Sequence, residues 1–182
     1  FYPAQRASIA RNYGISIAKG DYIAHLDDDN KIEPDHISSL VSTLERCDAD
    51  AAHSWRKLFT ADGQPFQVTA YPWAISPCVA DHVFDKFVKA GICVPMTNHI
   101  RDQMLTPEGE PVLHVDSSEW LIRREVHDRI RFPEKYTLRQ MIQHQTEDLL
   151  LATAFHLNNI KVVCSKRATL SYYLGGYSNG RD

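Results

Sequence analysis

Three consecutive carboxylates, Asp27-Asp28-Asp29, close the apolar run Tyr22-Ile23-Ala24-His25-Leu26. Adjacent carboxylates repel one another, and at the end of a buried strand water screens that repulsion poorly. A hard divalent cation with oxygen ligands relieves it. Mg2+ and Mn2+ do so while keeping coordination positions for phosphate oxygens. In extended backbone alternate side chains share a face, so Asp27 and Asp29 are placed to share one metal or one metal-bound diphosphate, and Asp28 points away. The plainer reading is a solvated acidic turn. Two other chemistries fail on spacing. An EF-hand loop starting at Asp27 needs glycine at its sixth position and a bidentate acid at its twelfth, and these hold Ile32 and Ser38. A phosphatase pattern Asp-x-Asp-x-Thr/Val has Lys31 at its fifth position.

A second acidic pair, Glu147-Asp148, follows Thr146 and precedes Leu149-Leu150-Leu151. Thr146 suits a helix N-cap, and two acids in a first turn suit the helix dipole.

The elements that must carry these acids follow from periodicity. Ala7, Ile9, Ala10, Tyr13, Ile17 and Ala18 recur at helical spacing, and Gly20 suits a C-terminal cap. The nearly continuous apolar run 22–26 reads as a strand buried on both faces, ending at the triplet. Ligands bind at such strand ends in open α/β sheets. Pro34 opens a helix whose stripe is Ile37, Leu40, Val41 and Leu44. A strand over 49–59, a turn at Ala61-Asp62-Gly63-Gln64 and a return strand over 66–71 form a hairpin. A loop covers 71–77 and a helix 80–90, ending at Gly91. Residues 91–115 show no clear pattern. A strand over 118–122 leads into a short helix through Ile130. The helix opened by Thr146 ends near Asn158-Asn159. Strands over 160–164 and 168–174 precede a loose tail from Gly175. Helices alternating with strands predict an α/β sandwich with a mainly parallel sheet.

The whole chain narrows the classes. With 182 residues it suits one domain, 1–182. Its 43% apolar and 24% charged residues describe a globular protein. Net charge is −3, and Arg123-Arg124 and Lys166-Arg167 are only dipeptides, so no basic stripe speaks for nucleic acid. No run reaches the ~18 apolar residues of a membrane span, and the opening residues lack the features of a signal peptide. Cys47, Cys78, Cys93 and Cys164 form no Cys-x-x-Cys pair and read as free thiols of a reducing compartment. No histidine pair has zinc-site spacing. The expected location is the cytoplasm, with attachment at a membrane periphery compatible.

Together, Ala10-Arg11-Asn12-Tyr13-Gly14-Ile15, Ala18-Lys19-Gly20-Asp21-Tyr22-Ile23 and Leu26-Asp27-Asp28-Asp29 closely resemble the family 2 glycosyltransferases of the GT-A fold. Pro34 and His36 match as well. The resemblance is strong over residues 5–45, diffuse in the middle and visible again at Glu147-Asp148. It implies a Rossmann-like GT-A sandwich. It also implies transfer of a sugar, with inversion, from a nucleoside-diphosphate sugar to a hydroxyl of a glycan, lipid or small-molecule acceptor, as in polysaccharide biosynthesis.

In such an enzyme Asp27 and Asp28 belong to the donor site, and Asp27 and Asp29 hold Mn2+ or Mg2+. Arg11 neutralises phosphate charge, against a plain surface arginine on a helix. Asn12 and Gly14 serve either helix packing or contact. Asp148 takes the acceptor proton, with Glu147 beside it as its catalytic partner or as a ligand of acceptor hydroxyls. Ser117, Ser118 and Trp120 stand where the acceptor binds, with the Trp120 ring either stacked on sugar or in the core. The family's opening strand-helix-strand unit, about 70–90 residues of a domain of this class, is not recognisable before Arg11. The expectation is therefore a front-truncated member whose exposed sheet edge favours a homodimer. The alternative is a non-catalytic relative that binds sugar nucleotide, glycan or a protein partner.

Overall fold

The computed structural model describes residues 3–74 and 77–175. Helix α1, Pro3–Ile17, leads to strand β1, Tyr22–Ala24. Then come β2 (Lys31–Ile32), α2 (His36–Cys47), β3 (Ala51–Phe59) and α3 (Pro77–Lys89). Three short strands follow, β4 (His99–Ile100), β5 (Gln103–Leu105) and β6 (Pro111–His114). A 3-10 turn at Ser117–Glu119 enters β7, Trp120–Arg123. Helices α4 (Arg124–Arg129), α5 (Leu138–Ile142) and α6 (Glu147–Leu157) precede the long β8, Val162–Tyr173.

The main sheet runs β1-β7-β3-β8-β2, with β4 also on β3. Side-chain alternation along β3 and β7 builds two cores. Ala51, Trp120 and Ile122 face Leu151 and Phe155 of α6. Their neighbours Ala52 and Leu121 face Leu40 and Leu44 of α2. Leu40 and Leu44 are one helical turn apart and fully buried. Asp48 then ends α2 in the left-handed region, its N–H returning to Leu44 and Glu45 carbonyls. A third cluster, around Leu58, Ile92, Ile100 and Tyr172, lies under Phe84, Phe87 and Val88 of α3.

The α/β sandwich is the expected class. Its longest ladder, β3 with β8, is parallel, but the pairings β1–β7, β3–β7, β3–β4 and β2–β8 are antiparallel. The sheet is thus mixed. The segment between β3 and β7 places β7 antiparallel to β3 rather than completing a parallel crossover.

Strand β1 pairs only with β7 among the described residues and buries Ile23 alone, so it is a short edge strand rather than a doubly buried one. Helix α1 ends at Ile17, three residues before Gly20. The turn after β3 forms as expected, with Thr60 N–H bonded to the Gln64 carbonyl. Its return strand does not: Val68 bonds instead with Thr97 and Met96, leaving only a Phe59–Pro65 bridge. Ser118 and Glu119 belong to the 3-10 turn, because Asp116 caps it. The two strands expected over 160–174 are one. The irregularity between them is a register shift opposite His53 and Trp55, with Lys166 at φ 56°. The expected tail beyond Gly175 lies outside the described residues.

Candidate active site

Strand β1 stops at Ala24, and the triplet sits in a turn that the Asn30 N–H closes on the Asp27 carbonyl at 3.2 Å. Strand alternation therefore does not orient the three acids. Asp27 is half-buried, while Asp28 and Asp29 are exposed. Asn30 is buried and anchors the turn from below, its Oδ1 accepting the Tyr173 N–H at 3.4 Å.

Arg11, on α1, joins this turn to the second acidic pair. Its Nη2 donates to Asp27 Oδ1 at 2.5 Å and its Nη1 to Glu147 Oε1 at 2.7 Å. The guanidinium lies over the Phe132 ring at 5.3 Å. Asn12 fixes the segment carrying that ring: its Nδ2 donates to the Phe132 carbonyl and its Oδ1 accepts the Phe132 N–H. Asn12 is thus a clamp between α1 and the loop before α5. A Cβ on Gly14 would meet nothing within 4 Å, so close packing is not the reason for that glycine.

Glu147 and Asp148 start α6, where Thr146 accepts the Leu149 N–H as the expected N-cap. The Asp148 carboxylate accepts a hydrogen bond from Ser117 Oγ. The adjoining Ser118 Oγ accepts the Asp27 N–H at 3.1 Å and Asn30 Nδ2 at 3.3 Å. Two neighbouring serines thereby hold the triplet turn and the Asp148 carboxylate on one scaffold.

The electrostatics follow from this crowding. Burial raises the Asp148 pKa well above the carboxylate range, with Asp116 and Glu147 adding and Arg11 and Ser117 opposing. Burial raises Asp27 too; Arg11 opposes this and Asp116 adds to it. Asp29 is raised by burial and by the Asp27 charge. Arg11 is held firmly cationic despite its burial by Asp148, Asp27 and Glu147.

Among the described residues no three His, Cys, Asp or Glu side chains converge as a protein-built metal cage requires. Asp27 and Asp29 form a smaller donor set, with Asp27 Oδ1 already taken by Arg11. Two carboxylates whose proton affinity is raised chiefly by desolvation suit an ion that keeps most of its shell for water and phosphate. Mg2+ and Mn2+ fit that description.

Two expected acceptor residues are placed otherwise. Trp120 is fully buried, edge-on to His53 and Phe155, so its ring belongs to the core and offers no face to a sugar. Ser118 is fully buried and braces the triplet turn rather than facing an acceptor. Sequence reasoning overlooked Asn30, Asp116 and Arg56. Asp116-Ser117-Ser118-Glu119 carried a readable signal, the capping-box spacing of an N-cap and an acid three residues on.

The sequence model described as "Glycosyl transferase family 2" matches residues 4–131, well over half of the chain. That stretch includes Arg11, the triplet and the serine turn; Glu147 and Asp148 lie beyond it. No curated protein matches significantly. Among solved structures, the crystal structure of S. aureus TarS 1–349 is similar with a TM-score of 0.53 at 16% identity, covering 91% of this chain and 40% of that one. The same TarS fragment in complex with UDP gives a TM-score of 0.51 at 15% identity, covering 94% and 41%. The chain spans about two fifths of those structures, and at this identity the likeness is one of fold.

Proposed function

The chain belongs to glycosyl transferase family 2, and from that premise we propose that it moves a sugar, with inversion, from a nucleoside-diphosphate sugar to an acceptor hydroxyl. In this reading Asp27 and Asp29 hold the metal and Asp148 is the base. The observation that carries it is the Arg11 bridge, which brings Asp27 and the Glu147-Asp148 pair to one cation across 136 residues of sequence.

Asp148 has the property the reaction needs. Its raised proton affinity makes it a stronger base than a solvated carboxylate. As the acceptor oxygen bonds to the anomeric carbon, its proton passes to Asp148. The bond from that carbon to the phosphate oxygen breaks, and its electron pair leaves with the nucleoside diphosphate. Ser117 holds the carboxylate during this step. Arg11 supplies a permanent positive charge beside the departing diphosphate. A divalent cation on Asp27 and Asp29, Mn2+ or Mg2+, when bound supplies further charge compensation there. Glu147 keeps Arg11 in place and stands next to the base, where it can also receive an acceptor hydroxyl.

The UDP in one TarS structure makes uridine nucleotides the first donors to try. The test measures nucleoside-diphosphate release from a panel of UDP-, GDP- and dTDP-sugars, offered with glycan, lipid and small-molecule acceptors. It is run with Mn2+, with Mg2+ and with chelator. Turnover that chelator abolishes supports the proposal; no turnover of any donor under any condition refutes it.

A further inference from the structure

Beneath the serine turn lies a buried charge cluster to which the reaction above gives no role. Arg56, on β3, is 4% exposed. Its Nη1 donates to Asp116 Oδ2 at 2.8 Å and its Nη2 to Asp102 Oδ1 at 3.0 Å. The guanidinium lies 4.6 Å from the Trp73 ring and 5.1 Å from the Tyr172 ring, two rings that themselves meet edge to face. His114 Nδ1 meets the same Asp102 oxygen at 2.5 Å. Fully buried Glu119 is pushed far toward its neutral form by burial and by Asp102.

Asp116 uses its two carboxylate oxygens differently. Oδ2 takes Arg56, while Oδ1 accepts the Ser118 N–H at 3.0 Å. Its own N–H donates to Glu119 Oε2 at 2.8 Å, completing a capping box. The turn so capped carries Ser117, bonded to Asp148, and Ser118, bonded to Asp27 and Asn30. Asp116 also lies near enough to raise the proton affinity of both Asp27 and Asp148.

We infer that Arg56 and Asp116 are positioning residues for the reaction: the Arg56-anchored Asp116 cap fixes the Ser117-Ser118 turn and thereby sets where the Asp148 carboxylate meets the donor site. This rests on the glycosyltransferase reading. The fold gives the geometry its reach. A carboxylate at a helix start can rotate among staggered conformers. Among the described residues Ser117 alone hydrogen-bonds that of Asp148. Asp27, by contrast, has Arg11 as a second holder. Losing the cap should therefore disturb the base more than the donor site. A displacement of about 1 Å at such a group costs on the order of 10²-fold in rate.

The experiment compares Asp116→Ala with Asp116→Asn in the full chain. It uses Mn2+ and whichever UDP-sugar the unaltered protein turns over fastest. Asp116→Ala should lower kcat by about 30- to 100-fold, with KM for the UDP-sugar changed less than about threefold. Asp116→Asn should give an intermediate loss of kcat, about three- to tenfold, because the amide oxygen still caps the Ser118 N–H while its NH2 can no longer accept from Arg56 Nη1. A crystal structure of Asp116→Ala is the second measurement and requires no activity: Ser117 Oγ should lie out of hydrogen-bond reach of Asp148. Equal losses in both variants, a loss confined to KM, or retention of the Ser117–Asp148 bond in that crystal structure overturns the inference. Where Asp116→Ala does not fold, Ser117→Ala replaces it, with a kcat loss of about tenfold expected and an unchanged kcat overturning the inference. If the unaltered protein turns over no donor, the function proposed above fails, and the crystal structure still decides the positioning on its own.

Discussion

Arg11 and Arg56 each hold two carboxylates, in opposite surroundings. The side chains of Arg11, Asp27 and Glu147 are 14%, 32% and 14% exposed. Those of Arg56, Asp102 and Asp116 are 5%, 0% and 10% exposed, and the Trp73 and Tyr172 rings pack on the Arg56 guanidinium. A charge pair that water can reach exchanges partners at small cost, so Arg11 can share its guanidinium with an incoming diphosphate. A pair sealed from water cannot, because any vacated charge would stay in a poorly polarisable interior. The same residue type therefore serves a binding site in one place and a scaffold in the other, and burial decides which.

Removing the base should give the largest effect and separates chemistry from scaffold. Asp148→Asn should cut transfer by about 10²–10⁴-fold and leave UDP binding intact, measured by initial rates and calorimetry. The raised pKa sets two signs. Activity of the unaltered enzyme should fall as pH drops through that raised value, because the base becomes protonated. Folded Asp148 also holds its proton more tightly than unfolded Asp148, so its ionised form costs stability at neutral pH and that cost is relieved as pH falls. Asp148→Asn removes the cost, so Tm should hold or rise. A gain of ~1 kcal/mol is about 2–4 °C for a domain of this size. A lowered Tm would show that this acid belongs to the scaffold.

Arg56→Met attacks the scaffold directly. It leaves Asp102 and Asp116 buried without their cation and should cost about 3–5 kcal/mol in urea unfolding. A cost below ~1 kcal/mol would erase the distinction between the two arginines.

Asp29→Ala addresses the exposed side. Mn2+-dependent UDP affinity should drop by at least about tenfold, or ~1.4 kcal/mol, with the fold unchanged by circular dichroism. Equal affinity with and without Mn2+ in the unaltered protein would remove the metal from Asp27 and Asp29.

The smallest effect on stability should come from Arg11→Met, at about 1 kcal/mol or less, together with weakened UDP binding. A stability loss matching that of Arg56→Met would mean that the half-buried Arg11 bridge is structural after all.

Much of the fold was legible in the chain because its signals are local. The Leu40 and Leu44 stripe, the Thr146 cap and the long run of β3 each declare themselves within a few residues. Registers and partners do not. The apolar run 22–26 reads as an interior strand, yet β1 keeps only three residues and lies at a sheet edge. Residues 66–71 have a strand's composition, but the available edge of β3 is shared among β7 and β4, and Val68 turns to Thr97 and Met96.

The candidate site divides in the same way. By itself the sequence determined which acids stand together, Asp27 to Asp29 and Glu147 with Asp148, since neighbours in a chain stay neighbours in any fold. It also determined that a helix begins at the second pair. Tertiary structure alone decided that Arg11 meets Glu147 across 136 residues, that Arg56 meets Asp116 across 60, and that Ser117 meets Asp148 across 31. It alone put Trp120 in the core. No local pattern encodes these meetings, because they depend on how β3, β7 and α6 stack. A side chain's burial, and with it the pKa of Asp148 and the separate roles of two arginines, exists only once those elements have packed.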